Sequence, residues 1–240
     1  MEACNDIHPP SRLLPTASAN TRTCMLYNIP RISYTEALKL QHGLHARCAA
    51  HELNAALILL EHDPVITTGV KTASENILLT EAALREHGIE LVETDRGGDA
   101  TYHGPGQLVG YPILRLRRAA PDLHGYLRAL EQSVIDLLSE FDLQGRRNGP
   151  AGVWVGDRKI CSIGIAVRKH VTYHGFALNV DPDMSHFAFI NPCGLTAEEI
   201  TSMSELLGAA PDMAEVRDVY ARCFADTFGL ELECPPGDRQ

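Results

Sequence analysis

Three apolar runs in close succession constrain this chain's fold more than any other feature: GVWVG at 152–156, KICSIGIAV at 159–167 and VTYHGFALNV at 171–180. Each is short and rich in β-branched or aromatic residues, the composition of a strand. The segments between them are too brief for the crossover helix that parallel neighbours require, so the runs pair antiparallel. AALILLEH, PVITTG, IELVET and QLVGYPILRL, between residues 55 and 116, read as further strands.

Helical signals alternate with these strands. Ser33 and Glu36 form a capping-box pattern opening a helix to about Glu52, and TEAALREHG is a short helix closed by Gly88. Leu123, Tyr126, Leu127, Leu130, Val134, Leu137, Leu138 and Phe141 recur at steps of three and four, the stripe of a helix packed on a sheet. A last helix begins near Pro211, with Asp212 and Glu215 at its start and Val216, Val219, Tyr220, Cys223, Phe224 and Phe228 turned inward. The fold class expected is α/β (α+β), with a mixed, largely antiparallel sheet flanked by helices. No repeat or linker divides the chain, which predicts an irregular N-terminal arm over 1–23, a single domain over 24–230 and a C-terminal tail over 231–240.

Composition narrows the function classes. A net charge of −10 argues against sequence-blind nucleic-acid binding, which needs basic side chains to displace counterions. No stretch reaches the roughly 18 apolar residues of a membrane span, and no basic-then-apolar leader opens the sequence, so no membrane association is expected. Seven cysteines without paired short spacings make a reducing cytoplasm the simplest setting.

The segment RGGDATYHGPGQLVGYP, Arg96 to Pro112, surrounds His103 with five glycines. It matches neither the dinucleotide nor the phosphate-loop fingerprint, and its position between two strands suits a ligand groove lined by backbone N–H groups. His103 either holds the loop or meets substrate. In INPCGL, Cys193 lies between proline and glycine in a loop, where no packing need explains a thiol; as a nucleophile it requires an activating partner. Lys159 is the candidate: period two aligns it with Cys161, Ile163, Ile165 and Val167 on an apolar face, where desolvation favours the neutral amine. The alternative is a strand-end lysine that reaches water. A zinc site from His103, His174 and Cys193 has no matching spacing, and no metal or cofactor is expected.

Taken together, RGGDATYHGPGQLVGYPIL, the segment from GVWVGDRKICSIGIAV to VTYHGFALNV, and INPCGL closely resemble the lipoyl(octanoyl) transferases. The resemblance spans Arg96 to Leu195, with weaker similarity in HDPVITTG and ITSMSELLG. It implies one α/β domain like that of the biotin and lipoate protein ligases, with Cys193 as acyl-accepting nucleophile and Lys159 as its partner. It also implies an acyl pocket lined by Arg96, Gly97, Gly98, Asp99, Ala100, Thr101, Tyr102 and His103, by Ser162, Ile163 and Gly164, and by Gly175, Phe176 and Ala177. The chain departs from the family in carrying Cys161 and Ser162 where relatives commonly have small alanines.

The implied reaction moves an octanoyl group from octanoyl-acyl carrier protein through a cysteine thioester, without ATP. The implied acceptor is a lysine of the lipoyl domains of 2-oxoacid dehydrogenase E2 subunits and of the glycine cleavage H protein. An ATP-dependent lipoate or biotin ligase and a non-catalytic acyl-binding module remain open alternatives. An acidic chain meeting an acidic carrier needs a local positive rim, for which Arg115/Arg117/Arg118, Arg146/Arg147 and Arg168/Lys169 are the candidates.

Overall fold

The structure, a computed structural model, describes residues 23–120, 122–191 and 196–235, with the side chains of Arg117 and Arg118 outside that description. In chain order the elements begin with β1 (Thr23–Ile32), α1 (Tyr34–Ala49), β2 (Ala55–His62), β3 (Val65–Thr68), α2 (Glu81–Glu86) and β4 (Glu90–Glu93). β5 (Thr101–His103), β6 (Gln107–Leu114), α3 (Leu116–Ala119), α4 (Leu123–Glu140), β7 (Gly145–Arg146) and β8 (Gly152–Val155) follow. β9 (Arg158–Arg168), β10 (Val171–Asn179), α5 (Met203–Leu207), α6 (Met213–Phe228) and β11 (Glu231–Glu233) complete them.

As their short connections require, β8, β9 and β10 pair antiparallel in sequence. They belong to an eight-stranded sheet of order β11-β1-β2-β6-β10-β9-β8-β7. Only β1–β2 and β1–β11 are parallel, so the sheet is mixed and largely antiparallel, as expected. The α1 crossover is what permits the parallel β1–β2 pair. A separate three-stranded sheet, β4-β3-β5, carries the approach to the glycine-rich segment.

β2 is buried on both faces, and its alternation divides the core. Leu57 and Leu59 join the cluster of Leu130, Val134 and Leu137 from α4 with Val216, Tyr220 and Phe224 from α6. Ala56, Ile58 and Leu60 join the cluster of Ala37, Leu44 and Cys48 from α1. Each fully buried leucine contributes roughly 2 kcal/mol relative to exposure.

The helix starts follow the sequence signals. Ser33 Oγ accepts from the Glu36 backbone N–H at 3.3 Å and donates to its carboxylate at 2.7 Å. Asp122 caps α4 through Gly125 N–H at 2.7 Å, and Asp212 caps α6 through Ala214 N–H at 3.1 Å.

Beyond short elements the sequence reading does not resolve, such as β5 within the glycine-rich segment, the first and last strands differ from it. The segment from 231, expected as a tail, begins with strand β11 beside β1; its three residues are too few to carry a period, yet Leu232 packs on the core. β1 has no clear strand signal in the sequence because Pro30 interrupts it, and its pairing with β2 shifts register there, since proline has no N–H for the ladder. Thr23, the last residue of the arm expected over 1–23, already belongs to β1, while residues 1–22 and 236–240 lie outside the described residues.

Candidate functional site

The glycine-rich segment is fixed at both ends. At its far end Gly106 has φ +85° and passes so close to the chain leaving β10 that a Cβ would lie 2.1 Å from Asp181 O, which only glycine permits. Its N–H donates to Glu61 Oε2 at 2.8 Å, and the other Glu61 oxygen accepts from buried Arg217 of α6 at 2.9 Å. At the near end Arg96, 7 % exposed, clamps β3: Nε and Nη2 donate to Thr67 Oγ1 at 3.1 and 2.9 Å, and Nη2 to Thr67 O at 2.7 Å. Gly97 N–H then donates to Ile165 O of β9 at 2.9 Å, laying the loop along the large sheet.

Between this loop, the start of α1 and strands β9 and β10 lies a cavity of about 640 Å³. Of the expected pocket residues, Arg96, Gly97, Gly98, Asp99, Ala100, Thr101 and His103 line it, as do all of Ser162–Gly164 and Gly175–Ala177. Tyr102 does not: it is buried beneath the loop, and its hydroxyl meets His186 Nδ1 at 2.8 Å. Asp99 also fastens the loop, accepting from Asn76 Nδ2 at 2.6 Å. Several glycines serve backbone-to-backbone contact, because a Cβ on Gly164 would lie 2.7 Å from Gly97 O and one on Gly175 2.0 Å from Gly110 O.

Lys159 also lines the cavity, 5 % exposed, with its Nζ 5.0 Å from the centre of the Trp154 ring. It is therefore not a strand-end lysine in open water. The alternation expected to align it with Cys161 is broken: β8–β9 pairing shifts register between Val153 and Trp154. Lys159 faces the cavity, whereas Cys161 is fully buried within the core, where loss of solvation pushes its thiol pKa up. Cys193 lies outside the described residues.

The polar end of the cavity is a buried network of aromatic and imidazole groups. His103 is packed over Tyr34, with ring centroids 5.9 Å apart and planes 14° from parallel. Gln107 donates to Tyr102 O at 3.1 Å and Asn179 Oδ1 at 3.0 Å, so its carbonyl is what accepts from His103 Nδ1 at 3.2 Å. That leaves His103 neutral with Nε2 as an acceptor; burial, then nearby His62 and Arg96, hold its pKa well below the usual histidine range. His62 donates from Nδ1 to Ile32 O at 3.0 Å and accepts from Tyr111 OH at 2.6 Å, and burial lowers its pKa to about 4.

His174, 1 % exposed, has no role in the sequence reading beyond that of a weak metal candidate and a neighbour of the pocket glycine. Among the described residues no group of three or more histidine, cysteine or carboxylate side chains is placed to hold a metal. Its Nε2 lies 2.9 Å from Asp95 Oδ1 and its Nδ1 3.4 Å from Tyr34 OH, and its φ of +56° turns the ring out of strand alternation toward α1. Tyr34, Lys71, Tyr111, Leu123, Leu127, Ile165 and His174 all line the cavity beyond the expected set. Tyr111 sits inside the glycine-rich motif and Tyr34 inside the capping box, but no local pattern marks either as a wall.

The candidate docking arginines are partly engaged within the chain. Arg146 pairs with Asp157 at 2.6 Å and Arg147 with Glu131 at 3.0 Å, while Arg115 holds the Cys48 carbonyl at the end of α1. Arg168 and Lys169 are exposed. Among the described residues no helix is long and apolar enough to cross a membrane.

Residues 33–225 match the lipoyl protein ligase A/B catalytic domain. The chain is 46% identical over 213 residues to an octanoyltransferase of Chloroflexus aggregans, covering 87% of this chain and 96% of the relative. Against an octanoyltransferase of Solibacter usitatus the identity is 47% over 212 residues, covering 88% and 96%. Among solved structures, a bipartite lipoate protein ligase of Thermoplasma acidophilum, described with its E2 lipoyl domain, shares the fold. Its TM-score is 0.71 at 16% identity, with 90% of this chain and 89% of that one covered. The chain belongs to the lipoyl protein ligase A/B catalytic-domain family, as an acyltransferase beside its octanoyltransferases.

Proposed function

We propose that this protein takes an octanoyl group from octanoyl-acyl carrier protein onto Cys193. It then passes the group to a lysine of a lipoyl domain, whether of a 2-oxoacid dehydrogenase E2 subunit or of the glycine cleavage H protein. The observation that carries the reading is the burial of Lys159 in the wall of a cavity lined by the glycine-rich segment and by β9 and β10, in a chain so similar to octanoyltransferases. The Thermoplasma acidophilum ligase of like fold is described with an E2 lipoyl domain, which supports a lipoyl-domain acceptor.

In the first half-reaction the Cys193 thiolate attacks the thioester carbonyl, a C–S bond forms, and the carrier's sulfur leaves and takes a proton from the Lys159 ammonium. In the second, the acceptor nitrogen attacks the acyl-enzyme and the C–S bond breaks. The electron pair returns to Cys193 while neutral Lys159 takes one proton from the nitrogen. The donor is already a thioester, so no ATP enters.

Intact mass after mixing with octanoyl carrier protein tests this. One octanoyl group on the wild type and on Cys161→Ala, with none on Cys193→Ser, is expected. Adenylate formation from ATP and free octanoate, with turnover surviving loss of Cys193, would establish a ligase instead.

A further inference from the structure

Resting on that reading, the second half-reaction has a proton surplus. An acceptor lysine has an ordinary pKa of about 10.4 and arrives as ammonium near neutral pH. Amide formation strips two protons from its nitrogen. The Cys193–Lys159 pair holds one of them, and the other must leave a cavity whose polar end is buried. The first half-reaction has no such surplus, because the Lys159 proton goes to the departing carrier thiol.

From the cavity wall outward, the structure holds a row of polar groups that reaches solvent. Tyr34 lines the cavity, and its hydroxyl lies 3.4 Å from His174 Nδ1. His174 Nε2 lies 2.9 Å from Asp95 Oδ1, and the Asp95 side chain is 62% exposed to solvent. The carboxylate fixes the resting imidazole proton on Nε2, so Nδ1 is an acceptor facing Tyr34 OH. A buried histidine between a hydroxyl and a carboxylate connects the cavity to water.

We propose that Tyr34, His174 and Asp95 form a proton exit for the transfer half-reaction. Tyr34 oxygen accepts the surplus proton as its own passes to His174 Nδ1; the imidazolium, held by Asp95, releases the Nε2 proton through that exposed carboxylate to water. Asp95 and His174 are positioning and relay groups in this scheme.

The surroundings suit the role. Burial lowers the His174 pKa against the raising effect of Asp95, with Arg96 and His42 adding a smaller lowering, so the ring rests neutral and able to accept. Tyr34 is pushed up to about 12 by burial, against the lowering influence of Arg96 and Thr94, and rests protonated. Tyr173 OH also donates to Asp95, and Gln41 Oε1 accepts from the His174 backbone N–H at 2.9 Å, which together hold the ring between its partners.

Single-turnover measurement of the two half-reactions tests the exit, using octanoyl carrier protein and then a lipoyl domain, in wild type, Asp95→Asn and Tyr34→Phe between pH 6.5 and 9. Asp95→Asn alters an exposed carboxylate and keeps its shape, so the fold is retained. Expected for Asp95→Asn is acylation within about twofold of wild type, with transfer slowed about tenfold or more at pH 6.5; for Tyr34→Phe, in the cavity wall, transfer should fall about tenfold further than acylation does. The deficit should shrink as pH rises and more acceptor arrives as free amine, and added imidazole buffer should restore part of the rate. Equal loss in both half-reactions, a pH-independent deficit, or no deficit in either variant overturns the proposal. A wild type that forms no acyl-enzyme overturns the underlying transfer reading, and the exit with it.

Discussion

Gly164→Ala puts one methyl group where the glycine-rich loop lies on β9. The backbone of Gly164 is not in the left-handed region, so alanine costs nothing in φ and the effect is that of contact alone. The added Cβ would stand 2.7 Å from Gly97 O and 3.2 Å from Arg96 Cδ, short of ordinary contact at 3.4 Å by about 0.7 Å for the carbonyl. Neither neighbour yields easily, because Arg96 is clamped to Thr67 and Gly97 N–H is bonded to Ile165 O. Overpacking of this kind costs about 1–3 kcal/mol, and loss of the Gly97 bond adds about 1 kcal/mol. The expected total, about 2–4 kcal/mol, lowers Tm by roughly 5–15 °C for a domain of this size. Urea unfolding followed by circular dichroism reads it, and acyl-enzyme formation should fall at least tenfold as the cavity wall moves. A variant within about 0.5 kcal/mol of wild type and acylating at the wild-type rate would refute the tight apposition of loop and sheet.

Acid should destabilise the protein before its carboxylates titrate. The folded-state pKa of His62, about 4, lies below its ordinary 6.5, so the unfolded chain binds more protons between those values. Stability is therefore full above pH 6.5 and falls toward pH 4, by about 3 kcal/mol for His62 alone. His103 and His174 shift the same way, and a urea midpoint unchanged between pH 7 and 4.5 would contradict this. Gly43→Ala in exposed mid-α1, where an added Cβ meets nothing within 4 Å, should stabilise by about 0.5–1 kcal/mol, and a lowered Tm would count against it.

What the sequence displays is local. Antiparallel β8–β10, the α4 and α6 stripes and the caps at Ser33, Asp122 and Asp212 each follow from residues within a few positions of one another. The glycine-rich segment is legible as a loop against a groove for the same reason. Tyr34, Tyr111 and His174 stay hidden because their roles arise from tertiary contact: Tyr34 meets a histidine 140 residues away. The shared face of Lys159 and Cys161 fails on a register shift in β8–β9 that period-two counting cannot foresee. β1 and β11 leave no sequence signal for opposite reasons, β1 because proline breaks its pattern and β11 because it is too short to have one.

The pairing of β11 with β1 joins the first described strand to the last, and this bears on how the chain is made. At roughly 5–20 residues per second of synthesis, β1 waits about 10–40 s for β11 to emerge. During that interval its outer edge is an open row of amides able to template pairing with another nascent chain. β11 eventually covers only Thr23, Cys24 and Met25. Beyond them the edge is guarded by Pro30 and Arg31, both exposed, the first lacking an amide proton and the second charged. The proline that obscures β1 in the sequence is thus also a gap in the row of donors that such pairing would need.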